Sequence, residues 1–130
     1  MITGGCLCKA VRYKSTEPPV TVRACWCRVC QYIGAGGPAT GAAFKTATFT
    51  VEGTVKDYVR TADSGNRMHT RFCPECGTHL FSEADARPHL VFVRVGSLDD
   101  PNIVRPAASI WTASAPVWAC IDREIGRAHV

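Results

Sequence analysis

The 130-residue chain has no apolar run approaching the ~20 residues of a membrane span. Its N-terminus, MITGGCLCKA, lacks the apolar stretch of a secretory leader. Both absences weigh against secretion and membrane insertion and leave the cytoplasm as the expected compartment. Long helical periods with caps are missing, which excludes a helical bundle. No linker, low-complexity tract or repeat divides the chain, so one domain over residues 1–130 is expected. Charge is sparse: fifteen basic against eleven acidic residues leave +4, too little to indicate nucleic-acid binding. The eleven arginines are scattered rather than gathered in one motif. Hydrophobic residues make up 46% of the chain, enough to build a core.

Cysteine is the residue in excess, with eight in a chain that shows no export signal. Disulfides are rare in reducing compartments, so metal ligation or redox chemistry is the better expectation. Seven of the eight fall in three groups: Cys6 and Cys8 as C-x-C, Cys25, Cys27 and Cys30 as C-x-C-x-x-C, and Cys73 and Cys76 as C-x-x-C. Residues i and i+2 of a strand share a face, so a C-x-C on a strand presents both sulfurs to one ion. In C-P-E-C-G, Pro74 and Gly77 favour a tight turn that folds both thiols inward. Cys6, Cys8, Cys73 and Cys76 together supply the four thiolates of a closed structural zinc site.

The middle group supplies three thiolates and no evident fourth. Three protein ligands with one open position is the arrangement of a catalytic zinc, able to take water or a substrate thiol held as thiolate. Other readings stay open. Cys120 or one of His69, His79 and His89 closes the site, or no second metal binds, or Cys27 and Cys30 form a redox disulfide. No thioredoxin-like βαβ pattern surrounds that last pair. Three thiolates leave a zinc site at net −1 and blunt its Lewis acidity, which favours thiol chemistry over activation of water. Arg28 either offsets that charge or is a solvated surface residue, and Trp26 either walls the pocket or fills core. Cys120 is expected in the core.

The remaining pattern is one of strands. Alternation or β-branched content marks 9–14, 20–27, 44–51, 55–60, 68–72, 79–82, 90–95, 109–112 and 117–122. Pro18-Pro19, Gly53, Asp63-Ser64-Gly65-Asn66 and Asp99-Asp100-Pro101 punctuate them, and Gly34 to Gly41 reads as a loop. Turn signals at such regular spacing indicate a small all-β domain. Zinc would compensate for a core spread thinly over two sheets. Exposed sheet edges make a homodimer an expectation.

The motifs G-G-C-L-C-K-A-V-R-Y at 4–13, C-W-C-R-V-C-Q at 25–31, R-F-C-P-E-C-G-T-H-L-F at 71–81 and V-G-S-L-D-D-P at 95–101 resemble the glutathione-dependent formaldehyde-activating enzyme family. Centromere protein V belongs to the same superfamily. The resemblance runs in order to a late segment with Ile110, Trp111 and Trp118. It implies a stacked-sheet, tent-like all-β fold with two zinc ions, a structural one on Cys6, Cys8, Cys73 and Cys76 and a catalytic one on Cys25, Cys27 and Cys30. It implies a carbon–sulfur lyase-type activity that joins a thiol, glutathione in the founding reaction, to an aldehyde, formaldehyde. Members commonly read C-H-C-S-x-C-R in the middle motif, where this chain has Trp26, Arg28 and Gln31. The usual final L-P is also absent. A zinc-stabilised interaction module without turnover, or a thiol and zinc sensor, is the competing reading. With seven thiolates and two zinc ions in place, the formal charge falls from +4 to about +1.

Overall fold

The computed structural model describes residues 1–122 and 125–128. Its strands are β1 (Ile2–Gly5), β2 (Arg12–Ser15), β3 (Thr21–Cys25), β4 (Ala39–Lys45), β5 (Phe49–Glu52), β6 (Lys56–Thr61), β7 (Arg67–Phe72), β8 (His79–Ala84), β9 (Leu90–Arg94), β10 (Ala108–Ile110) and β11 (Gly126–Ala128). One short helix, α1 (Arg28–Ile33), follows β3. The expected all-β class holds. Strands β1, β2 and β5 form a three-stranded sheet, and the rest form a larger one in the order β11-β10-β3-β4-β9-β8-β7-β6. Pairing is antiparallel except around β10, which lies parallel to both β3 and β11. Among the described residues, no helix is long and apolar enough to cross a membrane.

The sheets meet through an aromatic cluster. Tyr13 of β2 stacks on Phe49 of β5 at 5.3 Å, and Phe49 in turn meets Phe44 of β4 at 6.0 Å and the edge of Phe81 of β8 at 5.8 Å. Val11, Leu80 and Val93 are fully buried around them. Tyr13 keeps its hydroxyl in this interior by donating to Ser97 Oγ at 2.6 Å, while Ser97 donates to the Arg94 carbonyl at 2.7 Å. Burial pushes the Tyr13 phenol up to about 12, so it remains a donor. Gly4 is needed where β1 crosses this pair, since a Cβ there would stand 2.3 Å from the Tyr13 hydroxyl.

Several expected boundaries move. The single strand expected at 44–51 is two strands in different sheets, divided by a 3-10 turn at Thr46–Thr48. Thr48 Oγ1 donates to the Lys45 carbonyl, a local bond that redirects the chain, and Thr46 Oγ1 ties the turn to the distant Pro88 carbonyl. Residues 39–41 belong to β4 rather than to a loop; small side chains there obscure a strand that β3 and β9 impose from either side. Residues 117–122 form no strand, because the chain turns at Pro116, whose carbonyl accepts from Ala119 N. Strand β2 begins at Arg12 rather than Lys9, whose φ of +67° lies in the left-handed region. Strand β1, rich in glycine, was not anticipated.

Two polar clamps complete the frame. His69 on β7 lies 2.7 Å from Asp57 of β6 through Nδ1 and 2.7 Å from Asp85 through Nε2, and the two carboxylates raise its pKa. Asp99 takes a bidentate pair from Arg12 of β2 and a hydrogen bond from Thr3 Oγ1 at 2.6 Å. That fastens the segment after β9 to the small sheet. The Arg12 guanidinium, with Thr3, holds the Asp99 carboxyl down at about 2. A depressed folded-state value means this stabilisation is present above about pH 4 and is lost as pH falls towards 2. Asp99→Asn is therefore expected to be less stable than the parent at pH 7, with the gap narrowing between pH 4 and pH 2. Urea melts across that range check it; a gap independent of pH would contradict it.

Candidate functional site

Two sulfur clusters arise from three local structures. Cys6 follows β1 and Cys8 lies in the turn beyond it. The Cys6 amide donates to the Val11 carbonyl at 3.0 Å, and the Cys6 carbonyl accepts from Lys9 N at 3.1 Å. Cys73 and Cys76 sit in the β7–β8 connection with a matching layout. Cys73 N donates to the Thr78 carbonyl at 3.0 Å, Gly77 N to the Cys73 carbonyl at 2.9 Å, and Gly77 has φ +74°. Positive φ closes each turn, at Lys9 in one and at Gly77 in the other. The C-x-C pair is thus not on the strand that its spacing suggests. A turn, not a pleat, brings its sulfurs together.

The Sγ atoms of Cys6, Cys8, Cys73 and Cys76 all lie within 4.8 Å of one another. Cys6 and Cys8 are 3.6 Å apart and Cys8 and Cys73 are 3.7 Å apart. A disulfide needs about 2.05 Å, whereas four sulfurs at 2.3 Å from one ion stand about 3.8 Å apart. Backbone amides aim at the sulfurs: Val11 N at Cys6, and Glu75 N and Cys76 N at Cys73. The Thr78 hydroxyl, 3.1 Å from Cys76 Sγ, and the Thr78 amide bring Cys76 down to about 5. Four converging sulfur donors, supported by amides, are a metal-type arrangement.

Cys25, Cys27 and Cys30 form the second cluster, also with all sulfurs within 4.8 Å. Cys25 ends β3, Cys27 caps α1, and Cys30 lies in the helix, its amide donating to Cys27 Sγ. Thiols of Cys25 and Cys30 lower the Cys27 pKa, and the Cys25 thiol is raised through Cys27 and Cys30. Among the described residues, neither a histidine nor Cys120 joins these donors. Gln31 seats the helix, its Nε2 donating to the carbonyls of Trp26 at 2.8 Å and Ser114 at 2.9 Å.

The open alternatives for neighbouring residues resolve by strand parity. Cys25 faces one side of the large sheet, while Trp26 is buried and shares the opposite side with Cys120. Cys120 is exposed, not in the core. It follows the turn at Pro116 that replaced the expected strand. Arg28 points outward, donating to Gln31 Oε1 at 2.6 Å and lying 5.1 Å from the Tyr32 ring centroid. The charge that meets the trio is Arg94 at the end of β9. Burial pulls its pKa down, and the nearby sulfurs of Cys30, Cys25 and Cys27 pull partly the other way. Sequence reasoning missed it. The available signal was an arginine ending a β-branched strand, in phase with Phe92 and out of phase with the buried Val91 and Val93.

Cys25, Cys30, Phe92 and Arg94 line a cavity of about 390 Å³ on that face of the sheet, together with Ile110, the register neighbour of Cys25 on β10, and Trp111. That volume suits a small molecule. The fold and the two sulfur clusters define the class: a small all-β protein with paired cysteine-rich metal-type centres, one of them bordering a cavity. The chain belongs to the glutathione-dependent formaldehyde-activating enzyme family, whose sequence pattern matches residues 1–114. The crystal structure of a Rhodobacter sphaeroides protein has a similar fold, with a TM-score of 0.60 and 22% identity over 80% of this chain and 91% of that one. Among proteins of curated function, none matches.

The geometry predicts unequal roles for the cysteines in stability. Cys73→Ser is expected to lose one equivalent of bound metal and destabilise the fold by several kcal/mol, on the order of a large core defect. Cys120→Ser is expected to leave both unchanged. Elemental analysis with thermal melting tests the pair, and indistinguishable variants would contradict the assignment.

Proposed function

We propose that Cys6, Cys8, Cys73 and Cys76 hold a structural zinc ion, and that Cys25, Cys27 and Cys30 hold a second, open one that engages a thiol for addition to an aldehyde. The donor chemistry fits zinc in both places, being all sulfur, with spacings near those of a tetrahedral shell in the four-cysteine cluster. Zinc on the trio supplies an open position that favours the thiolate form of a thiol presented to it. The family supports glutathione as that thiol and formaldehyde as the aldehyde.

The chain's own residues do the rest. Cys25 and Cys30 place the sulfur-binding position at the cavity wall, and Arg94 balances the negative charge collected there. Phe92 and Ile110 supply apolar wall that limits water. In the net reaction the thiol sulfur bonds to the carbonyl carbon, the carbonyl π electrons move to oxygen, and the thiol proton ends on that oxygen as a hydroxymethyl group. No atoms are left over. The single observation carrying this reading is the convergence of three sulfurs at the edge of a cavity next to a half-buried arginine.

The unusual Trp26, Arg28 and Gln31 do not argue against turnover. Trp26 lies across the sheet, Arg28 is turned outward, and Gln31 is committed to backbone carbonyls. They alter how α1 is seated rather than what lines the cavity. Exchange NMR of glutathione and formaldehyde at equilibrium tests the proposal. Interconversion is expected to be faster with the zinc-loaded protein than without it, unaffected by Cys120→Ser and abolished by Cys25→Ser. No acceleration together with no glutathione binding would contradict it and leave a non-catalytic zinc module.

A further inference from the structure

We propose that the cavity beside the three-cysteine cluster selects thiols carrying two or more negative groups away from the sulfur, with Arg23, Arg60, Arg87 and Arg94 reading that charge. All four line the cavity, and among the described residues no aspartate or glutamate does. The inference rests on the trio being the thiol site and adds which thiols it accepts.

Pairing separates these arginines from others in the chain. Arg12, Arg67, Arg71 and Arg105 each lie within 4.0 Å of a carboxylate, at Asp99, Asp85, Asp57 with Glu83, and Asp122. Among the described residues, none of the four cavity arginines forms such a pair. Two are deficient in a more telling way: the Nε atoms of Arg60 and Arg94 are buried with no hydrogen-bond partner. A buried N–H without an acceptor is costly, and native proteins keep few of them. Two in one cavity, both on cations, mark places where a ligand's acceptors complete the structure.

Strand register sets their spacing. Arg23 on β3 and Arg94 on β9 both lie opposite Gly41 on β4, the strand between them. Two strand spacings put their backbones about 10 Å apart. Gly41 leaves the floor between them without a side chain. Arg94 reaches the trio, whereas Arg60 enters from β6 at the far edge of the sheet. A thiol anchored at Cys25 and Cys30 would thus run its body over Gly41 and Phe92 with its acid groups among the arginines. Guanidinium forks suit carboxylates, and a cationic thiol would meet like charge with no acid to relieve it.

The test is calorimetric titration of zinc-loaded full-length protein with glutathione, its monoethyl and diethyl esters, cysteamine and S-methylglutathione. Each ester is expected to weaken binding about tenfold, so the diester binds about a hundredfold more weakly than glutathione, and cysteamine does not bind. In Arg23→Gln/Arg60→Gln the preference is expected to collapse, glutathione binding no better than its diester, with zinc content and melting temperature at parental values. Equal affinity for glutathione and its diester, or an unchanged preference in the double variant, would overturn the inference. Thiol engagement is read separately from S-methylglutathione, which keeps both carboxylates. If it binds as well as glutathione and Cys25→Ser changes neither, the thiol reading falls while the arginine site stands. If none of the compounds binds, both fall.

Discussion

Sulfur atoms held at 3.6 to 3.7 Å, too far for a bond and too close for unshielded thiolates, impose the constraint on which the structure depends. Cys6 and Cys8 enter from the small sheet and Cys73 and Cys76 from the β7–β8 turn of the large one. Their convergence fixes how the sheets face each other. The zinc ion proposed for these sulfurs would relieve that repulsion and turn it into a cross-link between residues 65 or more positions apart. The apolar core then has less to do alone. Its aromatic part is Phe49 with three rings around it, and much of the rest is small side chains such as Ala42 and Ala43.

Arg94 connects that frame to the second cluster. Its backbone carbonyl receives the Ser97 hydroxyl, which itself receives the Tyr13 phenol, so the core of the small sheet holds the end of β9 in place. On the other face of the sheet its guanidinium meets the trio. The Ser-Leu-Asp-Asp run after β9 is explained by the same geometry. Ser97 and Asp99 reach the small sheet through Tyr13, and through Arg12 and Thr3, with Leu98 buried between them. A stable frame and an electrostatically balanced site are two consequences of one strand ending.

The sulfur clusters were legible in the sequence because thiols so close together have few physical uses. The grouping four, three and one survives, although Cys120 proves exposed. Strand positions from β6 to β9 were legible because alternation and β-branched content coincide there with clear turns. Alternation at 44–51 misled, since period-two patterning cannot reveal that threonine hydroxyls break the strand and send its halves to different sheets. Glycine-rich β1 and alanine-rich β4 carry no propensity signal; their partners make them strands. The cavity arginines were illegible for another reason. Scattered at 23, 60, 87 and 94, they share a surface only through cross-strand register, which local pattern does not encode.

The central claim is that the trio is a metal centre with one position reserved for a thiol, beside a centre that is already complete. X-ray absorption at the zinc edge measures this directly. For protein with both sites loaded, the account predicts an average of about 3.5 sulfurs per zinc, rising to about 4 on addition of glutathione. Four sulfurs per zinc before any thiol is added, or a count that glutathione leaves unchanged, would contradict it.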